Sequence, residues 1–129
     1  MKLVILESPY SGATEADIER NHIYLQRCIQ DSIDRGESPY ASHQMLTQAL
    51  DDASPSDRAI GIAAGYAWWR CADAIVFYVD LGWSSGMVAA LTRAIGLFKI
   101  ELNSALRSAK VRTSATHTLI LERAMALSP

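Results

Sequence analysis

A chain of 129 residues, half of them hydrophobic, is long enough for one cored domain and too apolar for a disordered one. Its net charge of -2 and pI near 5.9 argue against a general nucleic-acid binder, which carries a strongly basic face, and no run of Lys or Arg makes a local one. A small molecule fits this balance better than a phosphate backbone.

Cys28 and Cys71 are the two cysteines, and neither stands in a CxxC or Cys/His spacing, so no metal site is expected. Both fall in apolar helical patterns, where a buried reduced thiol is the expectation. Met1 to Glu7 is too short for a secretory leader, and no apolar run reaches membrane-spanning length. The expected location is cytoplasmic, with no membrane partner.

Leu3 to Leu6 is a continuous apolar run followed by Ser8-Pro9-Tyr10-Ser11-Gly12, which predicts a buried first strand and a loop. Thr14, with Asp17 three residues on, starts a helix. Ile18, His22, Leu25, Cys28, Ile29 and Ile33 are expected on its inner face, and Gly36 suits its end. Pro39 to Ser42 predicts a short second strand ending at His43, parallel to the first because a helix connects them. Gln44 to Ala53 fits a short helix or an ordered loop.

Ser54-Pro55-Ser56-Asp57 is a stronger signal: N-cap, proline at the first helical position, and an acid in the first turn. The helix is expected to run to about Cys71, with Ile60, Ala64, Ala67, Trp68 and Cys71 as its apolar stripe. Gly61 and Gly65 share one face and predict close packing there. Asp73 fits a turn or cap at the junction with the next strand. Ile75 to Val79 is a second buried strand, ended by Asp80. Leu81 to Gly86 then makes a Ser/Gly turn, and a helix is expected from Met87, with Met87, Leu91, Ala94 and Ile95 on one face. Phe98 to Leu102 alternates like an edge strand. Ser104 to Ala109 fits a helical turn, and Thr118 to Leu127 looks helical. Residues 103–129 are expected to form a C-terminal extension or an oligomer contact.

Three polar segments follow strand ends: Glu7 to Gly12, Ser42-His43, and Asp80 to Gly86. In a parallel sheet all three face one edge, which predicts a shared pocket. The last feeds a helix N-terminus, whose free N–H groups favour an anionic group. Asn21, one turn into the first helix, reaches the same mouth or is an ordinary surface residue.

These motifs resemble a known group. "SPYSG" after the first strand, Asn21, "SPYASH" with His43, "CADAIVFY" with Asp73, and "WSSGMVAAL" look like the nucleoside 2-deoxyribosyltransferase superfamily, and more closely its small bacterial and phage relatives of unassigned function. The resemblance covers about Leu3 to Leu102. It implies a flavodoxin- or Rossmann-like parallel sheet with a nucleoside or nucleotide across the strand ends. It further implies that Ser8, Tyr10, Ser11 and Gly12 contact sugar and base, and that Ser84, Ser85 and Gly86 contact the sugar or a 5′-phosphate.

One departure matters. Catalytic members carry a glutamate on the helix after the Ser/Gly turn, and that position falls at about Ala90. Alanine is no nucleophile. Three readings follow: Glu7 or Asp80 supplies the carboxylate from a strand end, the pocket only binds a nucleotide, or the fold carries another reaction.

Each candidate also has an ordinary role. Glu7 and Asp80 fit strand-end acids as well as catalytic ones. His43 fits a phosphate or base contact and, more often, a structural hydrogen bond. Tyr10 and Trp83 fit base stacking or packing under a loop. Trp68 and Trp69 fit core or a subunit contact, and Arg93 is most simply a solvated helix charge.

The sequence therefore predicts a single-domain, three-layer α/β fold, flavodoxin- or Rossmann-like, with a largely parallel sheet of four to five strands. The resemblance implies one nucleoside 2-deoxyribosyltransferase-like domain over residues 1–129. The expected function is nucleoside or nucleotide binding with N-glycosidic bond chemistry, hydrolytic or deoxyribosyl-transferring; the alternative is a non-catalytic nucleotide-binding, sequestering or sensing protein. Catalytic candidates are Glu7 and Asp80. Ligand-binding candidates are Ser8, Pro9, Tyr10, Ser11, Gly12, Asn21, His43, Trp83, Ser84, Ser85 and Gly86. No cofactor, metal or nucleic-acid partner is expected, and a homodimer or higher homo-oligomer is.

Overall fold

The computed structural model describes residues 1–98, 111–112 and 119–123. Lys2–Glu7 (β1) leads through Glu15–Asp34 (α1) to Glu37–Tyr40 (β2). Ser42–Leu46 (α2) and Pro55–Ala67 (α3) follow, and a 3-10 turn at Trp68–Cys71 leads into Ala74–Tyr78 (β3). Ser85–Phe98 forms α4.

The sheet is parallel at its heart. β1 pairs with β2 in the register Val4↔Pro39 and with β3 in the register Ile5↔Ile75, both parallel. Leu119–Arg123 (β5) lies parallel on the far side of β3, and Val111–Arg112 (β4) pairs antiparallel with β5, giving the order β2-β1-β3-β5-β4. The α/β class and the parallel pairing of the first two apolar runs are therefore as the sequence predicts.

Side-chain alternation along the strands divides the core in two. Val4, Leu6, Ala74, Val76 and Tyr78 pack against Tyr24, Leu25 and Cys28 of α1. Ile5, Ile75 and Phe77 pack on the other face against Trp69 and the Met87, Ala90 and Ala94 side of α4. Every residue of β3 is buried. Each such aliphatic or aromatic side chain contributes about 1.5–3 kcal/mol by leaving water. Glu7 follows Leu6, so it falls on the same face as α4.

Helix ends are set by the predicted caps. Thr14 and Asp17 make a reciprocal capping box on α1. Ser54 accepts from the Asp57 N–H, with Pro55 in the first turn of α3. α4 starts at Ser85 rather than at Met87, and Ser84, placed in the turn by the sequence, caps it: its Oγ accepts from the Met87 N–H at 3.2 Å. Gly36 follows α1 with φ +76°, a conformation that glycine adopts without a Cβ penalty.

Several expectations are corrected. On α1 the buried face is Asn21, Tyr24, Leu25, Cys28 and Ser32, while Ile18 and Ile33 are exposed. The α3 stripe is likewise rotated: Ile60, Trp68 and Cys71 are exposed, and Gly65 and Trp69 are buried. On α1, Tyr24, Leu25 and Cys28 are the residues that meet the sheet. On α3, Gly65 is the point of close approach, because its missing side chain lets the helix close on Ser42 of α2. β2 begins at Glu37, two residues early, and Ser42 already starts α2. Phe98 ends α4 rather than starting a strand. Leu119–Arg123 is a strand where a helix was expected, because Leu119-Ile120-Leu121 is a continuous apolar run suited to a parallel sheet. The expected strand residues Lys99–Leu102 and the expected turn at Ser104–Ala109 lie outside the described residues.

Among the described residues, no helix is long and apolar enough to cross a membrane. No cluster of three or more His, Cys, Asp or Glu among them is placed to hold a metal ion.

Candidate functional site

The order β2-β1-β3 reverses direction at β1. Helix α1 leaves β1 on one face, and the α2–α3 connection returns to β3 on the other. In open α/β sheets the crevice beyond the strand ends at such a switch point is where ligands bind. A cleft of about 190 Å³ lies there, between the β1 loop, α2, α3 and the N-terminus of α4.

Eight of the sequence candidates line it: Glu7, Ser8, Tyr10, Ser11, His43, Ser84, Ser85 and Gly86. They come from three different strand ends. Ser42, Thr47, Asp52, Arg58, Tyr66, Met87, Ala89 and Ala90 complete the wall with Ile62 and Gly65. Thr47 and Asp52 were hidden in the ambiguous segment after His43. Tyr66 follows Gly65, whose missing side chain makes room for α2.

Glu7 is the acid at the floor. Burial against the β1 end raises its carboxyl to about 7, and among the described residues it has no hydrogen-bond or ion-pair partner. It is therefore divided between acid and carboxylate near neutral pH. Its charge in turn contributes to raising the Tyr66 phenol, after burial. The Arg93 guanidinium stacks 4.4 Å from the Tyr66 ring centre, so Arg93 supports the wall from behind.

The β1 loop is fastened to α2 by two side chains. Ser8 Oγ lies 3.3 Å from His43 Nε2. Tyr10 OH lies 2.7 Å from Thr47 Oγ1, and Thr47 donates its one hydroxyl proton to the His43 carbonyl at 2.7 Å. Tyr10 must then be the donor to Thr47. Tyr10 also packs edge-on against His43 and tilted on His22. Burial, with His22 nearby, lowers the His43 imidazole to about 4, so this histidine is neutral at neutral pH.

Opposite Glu7, the first N–H groups of α4, those of Ser85 and Gly86, have no intrahelical acceptor. A Cβ on Gly86 would meet nothing closer than Ser84 Oγ at 3.8 Å, so the space beside it is open.

The other candidates stand outside the cleft. Asp80 points to the α1 side, where Tyr24 OH donates to its carboxylate at 2.5 Å. Strand alternation places it there: Glu7 and Asp80 end neighbouring strands on opposite faces. Asn21 Nδ2 donates to the Ser11 carbonyl at 2.9 Å and holds the loop from behind. Gly12 lets that loop pass the Asp17 side chain, which a Cβ would overlap. Pro9 is buried away from the cleft. Trp83 packs against Phe77, 5.2 Å between ring centres, and is part-exposed. Asp73 accepts the Leu3 N–H at 2.7 Å, tying the strand starts together.

The model of a family described as a domain of unknown function, DUF7768, matches residues 2–100. The chain belongs to the DUF7768 family. Every residue lining the cleft of this DUF7768 domain lies inside the matched span. No curated protein and no solved structure matches the chain.

Proposed function

We propose that this cleft binds a nucleoside or nucleotide, and that Glu7 supplies the carboxylate for N-glycosidic bond chemistry, by hydrolysis or deoxyribosyl transfer. The observation that carries the reading is Glu7 itself: an unpaired acid, raised to about 7, on the wall shared with Ala90. The wall position at which catalytic relatives in the resembled superfamily carry their glutamate is vacated by alanine. Glu7 offers the same group from the adjoining strand end. Its ionised form stabilises the positive charge that grows on the anomeric carbon as the base leaves. The Ser84–Gly86 turn offers hydroxyl and N–H donors to the sugar or its 5′-phosphate.

The finer architecture belongs to the same proposal: a three-layer, flavodoxin- or Rossmann-like sheet of four to five strands, in a cytoplasmic homo-oligomer. The β2-β1-β3 order supports the first part, since flavodoxin-like sheets share it.

A survey of nucleosides and nucleoside monophosphates, with free base measured by chromatography, tests the reading. Glu7→Gln should lower turnover by roughly 10²–10⁴-fold, the range for a positioned catalytic acid or base, and leave binding in place. The second reading, a binding-only protein, is favoured by Ala90. Tight binding with no base released from any of these compounds would establish it instead.

A further inference from the structure

The cleft does not end at the sheet. It continues into a slot of about 100 Å³ between α2 and α3, walled by Leu46, Leu50, Gly61 and Ile62. Ser42, His43, Thr47, Asp52, Arg58 and Ile62 line both spaces, so the two are one continuous site. One arm is polar and ends at Glu7 and the α4 N-terminus. The other is apolar and narrow, with an ion pair at its rim. A nucleoside has the same division: a polar sugar and a flat base with hydrogen-bonding edges.

We propose that the base lies in the slot between α2 and α3, and that the Asp52–Arg58 pair reads its edge and selects guanine. The inference rests on the nucleotide reading of the cleft and adds to it the base and the residues that choose it.

The pair is built for partner exchange. Arg58 Nη1 meets Asp52 Oδ2 at 3.1 Å, a single contact, with both side chains about half exposed. Such surface pairs contribute little stability, so opening one for a ligand costs little. The second carboxylate oxygen and the remaining guanidinium N–H groups are available. The supporting loop is ordered by its own bonds. Asp57 accepts the Asp51 N–H at 3.2 Å, and Asp51 accepts from Ala53 at 2.9 Å. Asp52 is thereby held beside the first turn of α3, which carries Arg58.

The edge chemistry then decides the base. A carboxylate accepts two protons side by side, and a guanidinium donates two. Guanine alone among the common bases offers adjacent N1–H and N2–H donors together with the O6 and N7 acceptor pair that arginine favours. Adenine and cytosine give a carboxylate one donor group, and uracil gives one N–H. The slot is narrow because Gly61 lacks a side chain: a Cβ there would already stand 3.3 Å from Leu50 Cδ1.

Calorimetry on the full chain tests this with guanosine, inosine, adenosine, cytidine and uridine 5′-monophosphates, and with ribose 5-phosphate as the base-free probe. Guanosine monophosphate should bind at least tenfold tighter than the adenine, cytosine and uracil nucleotides, with inosine monophosphate between, since it lacks the 2-amino group. Asp52→Asn and Arg58→Gln should each weaken guanosine monophosphate about tenfold and leave ribose 5-phosphate unchanged, which also shows that the variants fold. Equal affinity for all five nucleotides, or variants that bind guanosine monophosphate as wild type does, would overturn the base assignment while leaving the nucleotide reading standing. Failure of every nucleotide and of ribose 5-phosphate to bind the wild type would overturn both.

Discussion

Tyr24 and Asp80 close one end of the sheet between them. The phenol donates to the Asp80 carboxylate at 2.5 Å and accepts the Asp80 backbone N–H at 3.1 Å. One hydroxyl thus ties α1 to the end of β3 and fixes where the following turn begins. This gives Asp80 a structural task outside the cleft, which Glu7 lines. Tyr24→Phe keeps the ring in the core and removes both bonds. A hydrogen bond to a charged group contributes about 1.5–3 kcal/mol, so urea unfolding should show a loss of that order. Ligand affinity in the cleft should change little, because Tyr24 and Asp80 do not line it.

The second prediction concerns acid. Arg123 at the end of β5 grips Glu37 of β2 through two bonds of 2.9 Å and also donates to Tyr78. The Arg123 guanidinium, more than the Ser32 hydroxyl, holds the Glu37 carboxyl below its ordinary range despite the burial that opposes it. A depressed acid stabilises the fold above its unfolded pKa and loses that contribution as pH falls through the folded one. Arg123→Met should destabilise by about 3 kcal/mol near neutral pH, since removing one partner leaves a largely buried charge uncompensated. The gap between variant and wild type should narrow as pH falls and Glu37 takes up its proton, in the variant before the wild type. A gap that stays constant from pH 7 to pH 3 in chemical denaturation would contradict this.

Glu7 gives the opposite sign. Its carboxyl is raised from 4.5 to about 7 by burial. The folded state therefore holds the proton more tightly, and stability falls as pH rises from about 4.5 to about 7. Glu7→Gln removes the ionisation. The variant should gain on wild type across that window by up to roughly 3 kcal/mol, reduced by water in the cleft, and the two should converge below it. If ionised Glu7 performs the chemistry, log kcat/KM of the wild type should climb by one unit per pH unit below about 7 and level off above. A rate that falls across the same window would make Glu7 a proton donor instead.

Much of this was legible in the chain. Leu3–Leu6 and Ile75–Val79 announce a parallel pair because both are unbroken apolar runs, and parallel strands are covered on both faces. Thr14 and Ser54 mark helix starts by capping chemistry that needs no tertiary contact. The cleft residues from three loops were predictable because strand-end loops share one side. The face of each side chain was harder. Glu7 and Asp80 looked equivalent as strand-end acids, and only their register against α4 and α1 separates them. Gly12 looked like a ligand contact because it belongs to the right loop, and Asn21 because α1 brings it to the same mouth, yet both serve the backbone of that loop. Leu119–Leu121 was misread as helix because its strand partner, β3, is distant in sequence.

Trp68 carries the next expectation. Of the tryptophan pair, Trp69 is buried, while Trp68 is 53% exposed and rests on Tyr40. The expected homo-oligomer has an apolar anchor of this kind available, and tryptophan is enriched in subunit contacts. Light scattering at micromolar concentration should show a dimer or larger species, and Trp68→Glu should shift it to the monomer. A wild-type monomer would reject the assembly and leave Trp68 as an ordinary surface aromatic.

Two glycines in the cleft wall separate packing from access. A Cβ on Gly65 of α3 would stand 2.7 Å from Ser42 Oγ and 2.9 Å from Ser42 Cβ, closer than real contacts allow. Ser42 begins α2, which carries His43 and Thr47. Gly65→Ala must therefore push α2 outward, at about 1–3 kcal/mol for an overpacked site, and strain the Ser8–His43 and Tyr10–Thr47 links. Gly86 is the opposite case: it has open space beside it, in the first turn of α4. Gly86→Ala should fold with stability unchanged or raised by up to about 1 kcal/mol, because the unfolded chain loses freedom. Gly86→Val should also fold, but its branched side chain fills the approach to the Ser85 and Gly86 N–H groups and should weaken nucleotide binding tenfold or more. Thermal melts and calorimetry on the three variants distinguish these roles. Gly65→Ala should lose stability and affinity together, and Gly86→Val affinity alone. Wild-type affinity in Gly86→Val would mean that the ligand does not reach the α4 N-terminus.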